Sequence, residues 1–446
     1  MKKLLTSLMF VFFMGTVMTS QSQFIVQNKQ QTDKIKFKLI NNLVVIPLEI
    51  NGVSLTFLLD TGVSKPILFN FLNISDSLNI KNTETIYLRG LGEGESIEAL
   101  KSINNVLKIG DAINLNQDLY CIYNDKLNFS PKLGITVHGI IGYDVFKDLI
   151  VEINYSKKLL RLTNPESFEY KTCKQCEQLN LEFYNNKPYI NAEVVTGGRQ
   201  VPVKLLIDSG GSDALWLFEN DTLGIKSRDK FFYDFLGHGL SGSVYGKRTK
   251  IEALKLKSFE LKQANVAYPD SSSISIATKF KGRNGSLAGN ILKRFNIIYD
   301  YRNALLTLKK NSNFKEAFRY NKSGIELEHG GVRLVREVEN KLPDARMGAV
   351  ENSENVNSTR VILDTQYKLT LKPAYAVVEL RRDSPAHKAG LKIGDIIIAV
   401  NGKGAHNFTL QELMYKFYED EGKRIKLKVD RDGQYKFFSF YLENPI

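Results

Sequence analysis

Two aspartates stand in the same local sequence at distant points of the chain: Leu58-Leu59-Asp60-Thr61-Gly62-Val63-Ser64 and Leu206-Ile207-Asp208-Ser209-Gly210-Gly211-Ser212. In each, an apolar run with the character of a buried strand carries a carboxylate into a turn that glycine makes at little cost. Two carboxylates brought into one site cannot both ionise freely, because like charge raises the pKa of one of them and a proton is shared. The ionised member can then take a proton from water while the protonated member polarises a peptide carbonyl. Asp60 and Asp208 are the expected catalytic pair, and this chemistry calls for no cofactor and no metal.

The flanking elements repeat with the aspartates. Val44 to Ile50 reads as a strand turning at Asn51-Gly52, and Tyr189 to Val195 as one turning at Gly197-Gly198. About thirty residues after each Asp comes a glycine-rich stretch: Gly90-Leu91-Gly92-Glu93-Gly94, then Gly237-His238-Gly239-Leu240-Ser241-Gly242. His138-Gly139-Ile140-Ile141-Gly142 matches Ser286-Leu287-Ala288-Gly289. Asn154-Tyr155 and Leu159-Leu160 match Asp300-Tyr301 and Leu305-Leu306. The offset drifts only from 148 to 146 residues across these pairs, so two homologous β lobes are expected, over 35–165 and 176–312.

Residues 35 to 310 or so resemble the retropepsin/pepsin class of aspartic proteases, fused as two lobes in one chain. The resemblance implies a mainly β, two-lobed, barrel-like fold and an aspartic-type endopeptidase. In it Asp60 and Asp208 share the catalysis, and Thr61, Gly62, Ser209 and Gly210 support the active-site loops. Gly90, Gly92, Gly94, Gly237, His238 and Gly239 would belong to flaps over an extended peptide or protein substrate. His238 also reads as an ordinary solvated loop histidine. Where many pepsin-like enzymes carry a hydroxyl after the active-site glycine, this chain has Val63 and Gly211, which raises the expected pKa values of the pair and points to less acidic working conditions. The alternative function is a non-catalytic peptide-binding or envelope scaffold protein that keeps the protease fold.

Residues 325–446 carry a different signature. Tyr375 to Leu380 reads as a strand, Ser384 to Leu391 as a short helix entered at Pro385, and Ile396 to Val400 as a strand ending at Asn401-Gly402. Thr409 and Glu412 have capping-box spacing ahead of an apolar helical face of Leu410, Leu413, Met414 and Phe417. This order is similar to a bacterial PDZ domain, a small α+β fold. The resemblance implies that Ala376, Val377 and Val378 on the strand and Leu410, Leu413 and Met414 on the helix flank a groove for a C-terminal or extended peptide. Residues 338 to 370 read as an insertion, and the family's carboxylate-binding loop is not recognisable.

The N-terminus reads as a signal peptide over 1–22. Lys2 and Lys3 precede an apolar run from Leu4 to Val17, too short for a stable membrane span, and small residues follow. Export to the periplasm or secretion is expected, with no integral span after signal removal. The formal charge of +13 is spread along the sequence, the pattern of a solvated basic surface rather than of nucleic-acid binding. In an exported protein Cys173 and Cys176 could close a small ring, or one of them could bond Cys121. No zinc-ligand spacing, nucleophile elbow or P-loop is present in the sequence.

Overall fold

The computed structural model describes residues 22–123, 127–338 and 367–446. The expected signal peptide and most of the expected insertion therefore lie outside the described residues. The chain divides into two compact units, Met1–Lys322 with Asn444–Ile446, and Ser323–Glu443.

In the first unit, the strand Leu43–Ile50 turns at Asn51 and Gly52, both at positive φ, and returns as Val53–Leu59. Leu59 thus ends its strand immediately before Asp60. That strand is sandwiched in its sheet, antiparallel to Leu43–Ile50 on one side and parallel to Gly139–Ile141 on the other. A strand buried on both faces reads as a continuous apolar run, which is why Phe57-Leu58-Leu59 carries no polar residue. The second half repeats the plan. Lys187–Thr196 turns at Gly197-Gly198 into Arg199–Asp208, whose last four residues pair in parallel with Gly285–Ala288.

A six-stranded sheet joins the halves. At its centre Ile150–Asn154 pairs antiparallel with Phe295–Asp300; Leu159–Thr163 and Thr32–Lys36 extend the sheet on the first half's side, and Leu305–Lys310 and Cys176–Asn180 on the second's. Phe57, Phe146, Phe295 and Tyr299 are fully buried in one continuous core running through both halves. Cys173 and Cys176 are disulfide-bonded, and Cys121 is a free thiol within the core.

The second unit is a smaller α+β body. Its sheet runs in the order Ile325–Val338, Tyr367–Leu380, Ile396–Val400, Arg424–Arg431, Gln434–Tyr441. The helix Leu410–Phe417 starts at a reciprocal cap: Thr409 N donates to Glu412 Oε2 at 2.7 Å, and Glu412 N donates to Thr409 Oγ1 at 3.3 Å. Its Leu410, Leu413 and Phe417 pack on Ile397, Val400, Leu427 and Val429. Asp395, just ahead of the strand Ile396–Val400, has a structural purpose. Fully buried at its side chain, it accepts from Arg431 Nε at 2.6 Å and Nη2 at 2.7 Å, and from Lys392 N at 2.9 Å.

Removing one partner of such a pair leaves a poorly solvated charge behind. Asp395→Ala is expected to destabilise this unit by about 3 kcal/mol, measured by urea unfolding with a probe in residues 323–443. A loss below about 0.5 kcal/mol, the size of a surface substitution, would show that the pair is not structural.

Candidate functional site

The turns that follow the two buried strands meet. Thr61 N donates to Ser209 Oγ at 3.0 Å and Ser209 N donates to Thr61 Oγ1 at 3.1 Å. Each hydroxyl also donates to the strand preceding the other aspartate, Thr61 Oγ1 to Ile207 O at 2.6 Å and Ser209 Oγ to Leu59 O at 2.8 Å. Thr61 and Ser209 are buried, so these are hydrogen bonds whose loss would strand polar groups away from water. The sequence requirement is a small hydroxyl residue after each Asp.

This lock brings the carboxylates to one place. A Cβ built on Gly62 would lie 3.1 Å from Asp60 Oδ1 and 3.6 Å from Asp208 Oδ1, and one built on Gly210 would lie 2.2 Å from Asp60 Oδ2. Glycine at 62 and 210 is thus a matter of space for the two carboxyl groups. Gly62 N donates to Asp60 Oδ1 at 2.7 Å. Both aspartates keep a share of solvent contact, yet protein surrounds their carboxyl groups. Burial, and next the charge of Asp208, push Asp60 up to about 7, against the N–H groups of Gly62 and Gly210 and the charge of Lys187. Burial also raises Asp208, against the charges of Arg283 and Lys187. The pair can therefore hold one proton near neutral pH, one member able to donate and the other to accept.

The glycine-rich stretches become the tips of two hairpins that touch each other. Gly90 N donates to Ser241 Oγ at 3.1 Å, Gly94 N to Ser241 O at 2.7 Å, and Ser241 N to Leu91 O at 2.9 Å. Gly92, at φ +110°, has no room for a Cβ, which would meet the Ser241 backbone at 2.5 Å. Gly237 and Gly239 stand in the second hairpin, with a register shift between Phe235 and Gly237. His238 is exposed, its ring 4.8 Å from Phe235 and its Nδ1 3.2 Å from Ser243 Oγ.

Lys187, Arg283 and Ser241 stand at these sites and escape the sequence reading. A signal existed for Lys187: the hairpin turn Asn41-Asn42 is followed by Leu43, and its repeat Asn185-Asn186 by Lys187. Ser241 is named in its glycine-rich stretch, but its role as the joint between the tips depends on a contact 151 residues away.

In the second unit the expected groove needs correction. Val377, Leu410 and Leu413 are core residues with side chains packed inward. Ala376 pairs with Glu328 on one side and Ile396 on the other, and Val377 exchanges backbone hydrogen bonds with Gly394 and Asp395. A strand with both edges occupied cannot accept a peptide strand. The outermost strand, and the one beside the helix Leu410–Phe417, is Ile325–Val338. Val378 and Met414 are half-buried.

Residues 377–431 match the PDZ domain family, and this part of the chain is a PDZ domain. The chain is also similar to a protein described as a probable periplasmic serine endoprotease DegP-like, from Marinomonas sp. (strain MWYL1). The two are 45% identical over 62 residues, 14% of this chain and 13% of that relative. The match falls in the PDZ region. It overturns the expected aspartic-type, retropepsin-like endopeptidase, since the protease to which the chain is similar is a serine endoprotease by name. The shared residues do not include Asp60 or Asp208, whose role has to be argued from their own chemistry. No helix among the described residues is long and apolar enough to cross a membrane.

The raised Asp60 pKa fixes a sign. Below about pH 4 the group is protonated both folded and unfolded; between about 4 and about 7 the folded state keeps a proton that the unfolded chain releases, so stability falls as pH rises, then levels. Denaturant unfolding across that window should show this fall in the wild type and a shallower one in Asp60→Asn. Equal slopes would place the titration elsewhere.

Proposed function

We propose that this chain is an exported polypeptide-handling protein, in which the PDZ domain captures an extended segment and the Asp60–Asp208 pair is an acid–base centre acting on bound polypeptide. The observation that carries the reading is the convergence of two carboxylates on the glycines at 62 and 210, with Asp60 titrating near neutrality. Thr61, Gly62, Ser209 and Gly210 support the pair, and the hairpin tips at Gly90, Gly92, Gly94, Gly237, His238 and Gly239 hold the segment. We read residues 35–165 and 176–312 as the lobes of a duplicated β fold of pepsin-like architecture, and 325–446 as the full extent of the PDZ module. A fold leaves the reaction open. Export is supported by the charged and apolar N-terminus and by the periplasmic description of the Marinomonas relative.

A second reading, proteolysis through a serine nucleophile, takes its support from that relative's name. A Ser–His side-chain contact does occur, between Ser243 and His238. A serine nucleophile of this kind also needs a third group to orient the imidazole. Among the described residues no carboxylate forms a hydrogen bond or ion pair with His238.

One experiment separates the two. The mature chain is incubated with a diverse peptide mixture near pH 7, and all products are read by mass spectrometry, so that hydrolysis and transfer are both visible. Asp60→Asn and Asp208→Asn are each expected to cut conversion by about a hundredfold or more, with Ser243→Ala leaving it unchanged. Loss of conversion in Ser243→Ala alone would establish the serine reading. Wild-type conversion in either Asn variant would remove the pair from the chemistry.

A further inference from the structure

The repeat breaks where a charge enters. Asn41-Asn42 and Asn185-Asn186 form matching left-handed turns, with φ of 48° and 68° against 49° and 61°. Each hairpin tip reaches the loop that follows the other half's aspartate: Asn42 Nδ2 donates to Ser212 O at 2.7 Å, and Ser64 Oγ donates to Asn185 O at 3.0 Å. The next residue in the first half is Leu43, buried among Ile40, Val45, Leu58 and Phe69. In the second half it is Lys187, half-buried, whose side-chain ammonium forms no hydrogen bond or ion pair among the described residues. Asp60, Asp208 and Arg283 lie within its electrostatic reach.

Arg283 is already committed. Its Nε donates to Gly285 O at 3.1 Å and its Nη2 to Ser286 Oγ at 2.6 Å, with Tyr189 and Asp208 within its electrostatic reach. With one proton shared, the two carboxylates bring a single negative charge to face two cations. The recess carries a surplus positive charge, and Lys187 holds it uncommitted. Across the hairpin from Lys187 stands Tyr184, stacked on Phe280 with centroids 4.3 Å apart.

We propose that Lys187 is a specificity residue, forming an ion pair with an aspartate or glutamate side chain of the polypeptide held at the Asp60–Asp208 site. This rests on reading that site as one that holds polypeptide. A charge-assisted hydrogen bond in a partly desolvated recess discriminates strongly between a carboxylate and its neutral amide, because the amide leaves the ammonium unpaired.

The test is fluorescence anisotropy with the full mature chain and fluorescein-labelled, C-terminally amidated peptides that differ only by Glu or Gln at one scanned position. The Glu peptide is expected to bind roughly tenfold tighter at one position. The preference should fall below about twofold in Lys187→Leu, which copies the first half's Leu43, and should persist in Lys187→Arg. Equal affinities at every position in the wild type, or a preference that survives Lys187→Leu, would overturn the assignment. A Lys187-dependent preference confined to peptides with a free C-terminal carboxylate would also overturn it, by moving the partner from a side chain to the chain end. Binding of no peptide at all would overturn the reading of the site, and this assignment with it.

Discussion

The crossed hydrogen bonds between Thr61 and Ser209 are the constraint on which the first unit depends. Each backbone N–H is satisfied by the other residue's hydroxyl, and each hydroxyl donates onward to the opposite strand. Because all four groups are buried, the joint tolerates little displacement: a shift that breaks one bond leaves two polar atoms without water to replace the partner. That rigidity keeps two carboxylates together against their repulsion. The neutral-range titration of Asp60 follows from its burial first and from the charge of Asp208 next, and the glycines at 62 and 210 supply the space for the two groups.

The duplication made much of this legible in advance. Repeated apolar runs ending in Asp-Thr-Gly and Asp-Ser-Gly define the buried strands, and Asn51-Gly52 and Gly197-Gly198 announce their hairpin turns through the positive φ they adopt. The Thr409–Glu412 cap and its amphipathic helix follow from local rules that operate within one turn. What escaped depends on distance along the chain. Lys187 looks like a surface lysine until folding sets its hairpin beside the Asp60 loop, and Ser241 is an ordinary turn residue until it meets Gly90 and Gly94. The PDZ strand was placed one position inward for a related reason. Only Tyr375 to Leu380 reads as a strand there, and Ile325–Val338, which lies outermost, carries no such local signal.

The reaction class was the point at which sequence resemblance and comparison parted. A carboxylate pair is defined by its geometry, whereas the similarity to a serine endoprotease is carried by the PDZ segment. PDZ modules recognise peptides through a sheet edge and a helix, a mode independent of how any attached unit does chemistry. The two parts of the chain therefore speak to different questions, one about capture and the other about proton transfer.

The contact between the hairpin tips has a mechanical meaning. The halves are tied at the Thr61–Ser209 lock, along the central six-stranded sheet, at the turns through Asn42–Ser212 and Ser64–Asn185, and through the Ser241 bonds to Gly90, Leu91 and Gly94. Leu91 packs against Phe218, Ile274 and Ala277 in the second half, while Leu240 packs against Ala99, Ile122 and Leu127 in the first. Together these ties make a braced frame. The lock and the sheet are buried, and parting the tips would uncover an apolar residue from each half at once. The closed state of the tips thus rests on a few glycines, Ser241, and the bond from Gly92 N to Ser273 O.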